Sequence, residues 1–390
     1  MIVWLQRIPW KFVPRYLYVW KEERTAGERK DKRSIKNRYM LNDIIEPLVE
    51  WYRENKRDLP WRDKNNAYYT WVSEIMLQQT RVEAVKPYFE RFIKELPDIP
   101  SLSECPKEKL LKLWEGLGYY NRVRNMQEAA LTVTEKYNGQ LPRSYQELLA
   151  LKGIGSYTAG AIASIAYRIP VPAVDGNVLR VYSRITGSRE DITRAAVKKK
   201  TEEALLKIMP EEDPGDFNQA LMELGAVICV PNGEAKCEKC PVKDYCRAFK
   251  EDIVDELPVR QPKKARTVEK RTVLVIQDGE YTAVRKRGEE GLLAGLYELP
   301  NVKGHIKARD ALDIVKELKM DPLYIEELKP AKHIFSHIEW RMIGYRIRVA
   351  QAEPVNASGL IFIKRKRSDM EYSIPSAFRA YAKYMKEEKE

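Results

Sequence analysis

Between Met40 and Phe249 apolar residues recur at steps of three and four, and after Arg271 they recur at steps of two. That change of period constrains the fold more than any single motif. A helix repeats its face about every 3.6 residues and a strand every 2 or so. The segments LNDIIEPLVEWY, VEAVKPYFERFIKEL, KEKLLKLWEGLG, NRVRNMQEAALTVTEKYNG and AVKKKTEEALLKIMP each carry one apolar stripe,. Gly139, Gly187 and Pro210 stand where helices should stop,. The stretch WVSEIMLQQTRVEAV, residues 71–85, keeps helical spacing through Val82 and Val85. LPVRQPKKARTVEKR then reads as a linker, with its prolines and run of cations,. Beyond it, TVLVIQDGEYTAVRKR is a β-branched run, an Asp-Gly pair and an alternating run, a strong hairpin signal,. WRMIGYRIRVA alternates likewise, and IPSAFRAYAKYMKE returns to helix with Pro375 near its first turn,. The expectation is a mainly α protein. It has a basic extension over 1–40, an all-α domain over 41–258, a basic linker over 259–271 and a smaller α+β domain over 272–390.

The net charge of +12 points to an anionic partner, but it is unevenly spread,. Residues 1–40 carry +7, 41–259 carry −3, 260–271 carry +5 and the remainder +3. If the helical domain binds nucleic acid, it does so through placed contacts and backbone amides, not bulk charge. No apolar run is long enough to span a membrane,. The start, MIVWLQRIPWKFVPRYLYVW, is not a secretory signal, since Arg7 and Lys11 break its apolar character and no cleavage site follows,. Four of the five cysteines fall late and close together, which favours a metal site in a reducing compartment over a secreted disulfide scaffold,. A cytoplasmic monomer is expected, nucleoid-associated if its anionic partner is DNA.

Four stretches carry chemistry. In LKGIGSYTAG, Gly153 and Gly155 frame a bend between two helical runs. Such a bend is either a tight helix–helix turn or a helix-hairpin-helix, in which amides at the second helix approach a DNA phosphate. Cys229, Cys237, Cys240 and Cys246 follow a C-x7-C-x2-C-x5-C spacing. Zinc sites usually pair two short knuckles, whereas one compact loop with unequal gaps suits a four-iron cubane. Buried structural thiols are the bland alternative. In AVDGNVLRVYSRITG, Asp175 is placed to cap a helix,. Glu74, however, is a second carboxylate set among apolar residues, and two carboxylates about a sugar are what glycosidic cleavage needs,. In RDLPWR, an indole between two arginines could close over a flat base or could be an ordinary loop.

Taken together, RDLPWR, WVSEIMLQQT, LWEGLGYYNRVRN, LKGIGSYTAG, VDGNV, FNQALMELGAVIC, the cysteine loop, GLLAGLYELP and FSHIEW resemble the adenine DNA glycosylases of the MutY type, within the endonuclease III superfamily, from about residue 41 to 390. The resemblance implies a two-lobed helix-hairpin-helix glycosylase domain with an iron–sulfur loop over 229–246, followed by a Nudix-like domain. It implies that Glu74 protonates adenine on a ring nitrogen and that Asp175 stabilises the oxocarbenium-like sugar, with Tyr157 and Asn177 in support. Arg57, Trp61, Arg62, Leu77 and Gln219 would line the adenine pocket. Leu117 and Tyr119 would wedge the base stack, Gln79 would contact the mispaired guanine, and Phe335, Ser336 and His337 would meet 8-oxoguanine. Gly153 and Gly155 would hold the backbone, and the four cysteines a 4Fe-4S cluster. The implied partner is double-stranded DNA with adenine opposite 8-oxoguanine or guanine.

The chain departs from the pattern in places. The first cysteine gap has seven residues where six are usual, and Lys152 stands where many relatives have proline. The glutamate-rich helix of active Nudix hydrolases is missing; Asp310, Asp313 and Glu317 read as a solvated helix face. Glycosylases acting on oxidised pyrimidines or mismatched thymine are the competing readings within the superfamily. Tyr157 occupies the place where lyase-type relatives carry a Schiff-base lysine, which implies a monofunctional enzyme,. A non-catalytic DNA-binding protein is the reading from another class, and Glu74 with Asp175 count against it.

Overall fold

The structure is a computed structural model that describes residues 41–62, 66–262, 265–350, 359–364 and 372–385. The extension expected over 1–40 lies outside the described residues. The helical part runs α1 Ile45–Asn55, α2 Ala67–Leu77, α3 Val82–Glu95, α4 Ile99–Glu104, α5 Lys107–Leu113, α6 Asn121–Tyr137, α7 Tyr145–Leu149, α8 Ser156–Ala161, α9 Gly176–Thr186, α10 Ala195–Leu206, α11 Pro214–Val227 and α12 Arg247–Lys250. Among the described residues no helix is long and apolar enough to cross a membrane.

These helices bury two separate cores. Trp71, Phe92, Trp114, Met126, Val133 and Ile162 centre the first, built from α2–α8. Ile44, Leu48, Tyr52, Val178, Phe217 and Leu221 centre the second, built from α1, α9 and α11. So α1 comes early in the chain but packs with helices more than a hundred residues later, against α11 above all. The crossing between α1 and α2, and that between α8 and α9, therefore both run along one seam between the lobes.

One local expectation fails. The apolar spacing of residues 71–85 predicts a continuous helix, but α2 ends at Leu77 and α3 begins at Val82. Gln78 leaves helical geometry and Gln79 takes a left-handed φ of +59°. Periodicity carries across the break because both helices turn the same apolar side to one core.

The second part is built on one sheet of strands β1 Thr267–Asp278, β2 Tyr281–Lys286, β3 Tyr297–Glu298, β4 Asn301–Lys303, β5 Asp321–Ile334, β6 Ile338–Ala350 and β7 Leu360–Lys364, with α13 Ala308–Glu317 and α14 Arg379–Ala382. Its order is β3-β2-β1-β6-β5, with β4 also on β1 and β7 also on β2. The expected hairpin is present, with Asp278 opposite Tyr281 and Gly279 at φ +52°. Strand β1 starts inside the stretch read as linker, because it pairs parallel to β6 from Thr267↔Ile338 onward, a partner no local reading can see. The final helix is shorter than expected: α14 is flanked by 3-10 turns at Ser376–Phe378 and Lys383–Met385, which seat Phe378, Tyr381 and Met385 on the sheet.

The two parts share a core. Leu296, on the loop before β3, is fully buried within the cluster of the first helical lobe, and Leu293 packs against that cluster and against the sheet's own. Arg124 donates to the Ala294 carbonyl. Lys112 Nζ donates to Tyr372 O at 3.2 Å, and Ile374 N donates to Glu115 Oε1 at 2.9 Å. Because Leu296 fills space among helices, Leu296→Ala should cost about 2–5 kcal/mol, seen as a lower denaturation midpoint for the helical signal. A helical midpoint that does not move would place Leu296 outside that core.

Candidate active site

Helix α2 starts where Asn66 Oδ1 accepts from Tyr68 N and Tyr69 N, at 2.8 and 3.2 Å. It buries Trp71, Val72, Ile75 and Met76 in the first lobe, which turns Glu74 toward the seam. Glu74 is only 7% exposed. Burial pushes its carboxyl up to about 7, because the anion loses water and the Arg62 guanidinium across the cavity offsets only a small part of that loss,. A hydrogen bond from the Tyr157 hydroxyl to Oε2 pulls against that rise, and the nearby Asp175 adds to it.

Asp175 comes from the opposite lobe, at the N-terminus of α9. It caps that helix, as its sequence position suggests: Oδ1 accepts from Asn177 N at 2.8 Å and Val178 N at 2.7 Å,. Its other oxygen accepts from Asn177 Nδ2 at 2.8 Å, and the residue lines the cavity. Capping and site membership are thus not alternatives. Burial raises the Asp175 carboxyl, while three N–H donors favour its anion. Arg180 Nη2 donates to Asn177 Oδ1 at 2.9 Å and to Gly225 O at 2.7 Å, and its Nε donates to Cys229 O at 2.8 Å. The side chain behind Asp175 is therefore tied to the start of the cysteine loop. Gly225 makes this possible, since an added Cβ would stand 2.7 Å from Asn177 Cβ.

A cavity of about 590 Å³ opens between these carboxylates. Its walls bring together Arg57, Trp61, Arg62, Glu74, Leu77, Gln79, Tyr157, Asp175, Asn177 and Gln219 from the sequence reading, and add Glu223 and Lys198. Trp61 is mostly buried, edge-on to Phe89 at 5.3 Å. The arginines are not free: Arg57 Nε and Arg62 Nη2 each meet a different oxygen of Glu223 at 2.6 Å. Burial alone would raise the Glu223 carboxyl, but those two guanidiniums outweigh it and hold it below its usual range. Sequence reasoning missed Glu223, although its setting in ALMELGAV carries the same signal as Glu74, a lone carboxylate in an apolar run.

The remaining candidates lie outside this cavity. Leu117 is buried in the first core at 6% exposure, so it is not presented as an intercalating side chain here. Tyr119 is 49% exposed and holds a left-handed φ of +48°. Its hydroxyl donates to Gln79 Oε1 at 2.6 Å and lies 2.8 Å from Ser336 Oγ. Three separate stretches of chain, two in the helical part and one in the sheet domain, thus meet at one phenol. Phe335 is half-buried, packed against Trp340 at 4.9 Å and His333 at 4.6 Å, while Ser336 and His337 are exposed at the β5–β6 turn.

The Gly153–Gly155 bend joins α7 to α8. Gly153 needs its glycine: φ is +76°, and a Cβ would stand 2.7 Å from Asn125 Cβ,. Gly155 is extended, with open space where a Cβ would be, which suits close approach by another backbone. Next to it Lys198 Nζ donates to Ser156 Oγ at 3.1 Å. Cys229, Cys237, Cys240 and Cys246 all line one small, otherwise largely apolar cavity beside α9 and α11. Arg184 Nη1 donates to Cys229 Sγ at 3.2 Å. Among the described residues no three His, Cys, Asp or Glu side chains close on a single metal ion. Four thiols set around one cavity suit a multi-iron cluster better than a lone ion.

Comparisons with known proteins agree with this geometry. Residues 72–210 match the HhH-GPD superfamily of base excision DNA repair proteins, and residues 271–384 match the NUDIX domain. An adenine DNA glycosylase of Buchnera aphidicola (subsp. Baizongia pistaciae) is 35% identical, over 76% of this chain and 83% of that protein. The adenine DNA glycosylase of Homo sapiens is 32% identical, over 83% of this chain and 71% of that protein. A solved thermostable thymine-DNA glycosylase superposes with a TM-score of 0.50 at 28% identity, covering 55% of this chain and 98% of that one. Its partial cover of this chain fits a helical glycosylase body that here continues into a second, sheet-bearing domain. With the likeness to adenine glycosylases extending through both parts, the chain belongs to the adenine DNA glycosylase family.

Proposed function

We propose that the seam cavity excises adenine, flipped out of duplex DNA, by acid-assisted hydrolysis of its N-glycosidic bond. The observation that carries this reading is a carboxyl held near neutral pKa, Glu74, sharing a cavity with a carboxylate stabilised by N–H donors, Asp175. Burial raises both carboxyls, but Asp175 holds three N–H donors that favour its anion, which suits Glu74 as the acid and Asp175 as the counter-charge,. Glu74 gives its proton to a ring nitrogen of adenine, so the base leaves neutral as the C1′–N bond breaks. Asp175 faces the positive charge that grows on the sugar, and water completes the hydrolysis. No lysine stands at position 157, in keeping with a glycosylase that does not nick the strand,. The four cysteines would hold a 4Fe-4S cluster, which when bound would stiffen their loop beside α9; no step of the reaction passes through it. The preferred duplex carries adenine opposite 8-oxoguanine or guanine, with Ser336, His337 and Gln79 placed to inspect the opposite base and the Gly153–Gly155 bend to hold a phosphate. The domain limits of 41–258 and 272–390 belong to the same proposal, with the sheet domain as a recognition module and no hydrolase of its own.

Glu74→Gln should still bind a duplex bearing adenine opposite 8-oxoguanine but lose at least about 100-fold in single-turnover base release. Asp175→Asn should be slowed as severely, although asparagine is a good cap. A parental rate in either variant removes that residue from the chemistry.

The acid must be protonated, so base release should fall as pH rises through about 7. Tyr157 stabilises the anion of Glu74, and taking its hydroxyl away should raise the carboxyl further. Tyr157→Phe should therefore move the alkaline limb of the pH–rate profile to higher pH. A limb that stays put or moves down refutes the pairing.

Ser336→Ala with His337→Ala should lose about tenfold or more of the preference for 8-oxoguanine over guanine opposite adenine, as expected for one good contact pair. An unchanged ratio of rates would assign the discrimination to the helical part.

A further inference from the structure

One half-buried cation in this molecule, Arg122, has no part in the chemistry above. Arg122 sits in the first turn of α6, and its guanidinium spends its donors on two pieces of backbone. Nη1 donates to Ile75 O at 2.6 Å, Met76 O at 3.3 Å and Gln78 O at 2.8 Å. Nη2 donates to Leu117 O at 3.0 Å and Gly118 O at 3.1 Å. The first set is the frayed end of α2, the helix that carries Glu74. Carbonyls there have no partner within the helix and carry its negative dipole end. The second set is the loop that carries Tyr119. The same guanidinium lies over the rings of Trp114 and Tyr119, at 5.3 and 5.5 Å. Its Nε is buried without a partner, and burial lowers its pKa to about 10. The charge is thus kept in place at a cost, balanced by oxygens of neutral peptides.

What it holds is strained. Gln79 and Tyr119 both have positive φ without being glycine, a conformation that persists only where its surroundings over-determine it,. Both lie within two residues of a carbonyl that Arg122 binds, and they are hydrogen-bonded to one another. We propose that Arg122 is a positioning residue that locks the Tyr119 loop against the end of α2, fixing Tyr119 and Gln79 at a set offset from Glu74 so that strand opening and proton delivery fall in register. This deepens the adenine-excision reading and rests on it. Arg122 touches neither base nor sugar. A planar fork reaches both sets of carbonyls at once, whereas the single nitrogen of lysine cannot.

The test uses the full chain with Arg122→Lys and Arg122→Met, each checked for folding by circular dichroism and thermal unfolding. The flipping probe is a duplex with 2-aminopurine in place of the target adenine, and catalysis is followed as single-turnover release of adenine opposite 8-oxoguanine. Both variants should release adenine about 100-fold more slowly and give about a tenfold smaller rise in 2-aminopurine fluorescence, while the midpoint of the pH–rate profile stays where it is in the parent. Lysine should not rescue. Parental release and fluorescence in Arg122→Lys would overturn the proposal. So would slow release with a full fluorescence signal, which would move the defect to the chemistry, or the failure of both variants to fold, which would leave Arg122 a residue of the fold alone. A parent that releases no adenine from any duplex would refute the excision reading by itself, and the fluorescence comparison would still judge Arg122.

Discussion

The interaction on which the arrangement turns is the burial of one carboxyl, Glu74, between two lobes. A carboxylate in water titrates near 4.5; here it titrates near 7, which favours the protonated form by roughly 3 kcal/mol,. Neither lobe could do this alone. The first lobe supplies the apolar helix, and the second closes the far wall with α9 and α11 and brings Asp175, whose nearby charge adds to the rise. The return of α1 to the second core joins the lobes twice at their seam, so the cavity is a fixed part of the architecture.

Three carboxylates line that cavity, and each has a different electrical setting. Glu74 has a phenol and little water, Asp175 has backbone and side-chain N–H groups, and Glu223 has two guanidiniums. In the excision we propose, the first setting suits an acid and the second a counter-charge. The third is fully occupied, and it serves to hold Arg57 and Arg62 on the wall where a base would lie. Asn218 anchors the approach to Asp175, accepting from Ala173 N at 3.0 Å and donating to Val171 O at 2.9 Å. The run FNQALMELG thus places several of its polar side chains around one site from a single helix.

Much of this was legible in the chain before any coordinate. Helical periodicity gave the all-α part, the Asp278-Gly279 pair gave the hairpin, and the odd placement of Glu74 in an apolar helix marked a buried carboxyl on the cavity wall. What escaped were features with distant partners. The end of α2 at the break after Leu77 is held by Arg122, more than forty residues on, and the early start of β1 by β6, about seventy residues on. The family resemblance alone assigns Leu117 a wedge's place, and its side chain here turns into the core. Glu223 escaped for another reason: a carboxylate in a buried helix can be an acid or a clamp, and only the positions of Arg57 and Arg62 decide between them.

The loop GLLAGLYELP sends Leu296 into the first helical lobe while β3 follows in the sheet of the other domain. A side chain shared in this way makes the join between the domains a packing interface first and a chain connection second. The connecting segment is tied to the helical part at its start, where Val259 O accepts from Ile192 N at 3.1 Å. The loop sets the packing between the domains. A domain swapped in from a relative would have to bring its own leucine at the right height, so the two halves of the molecule are bound to change together.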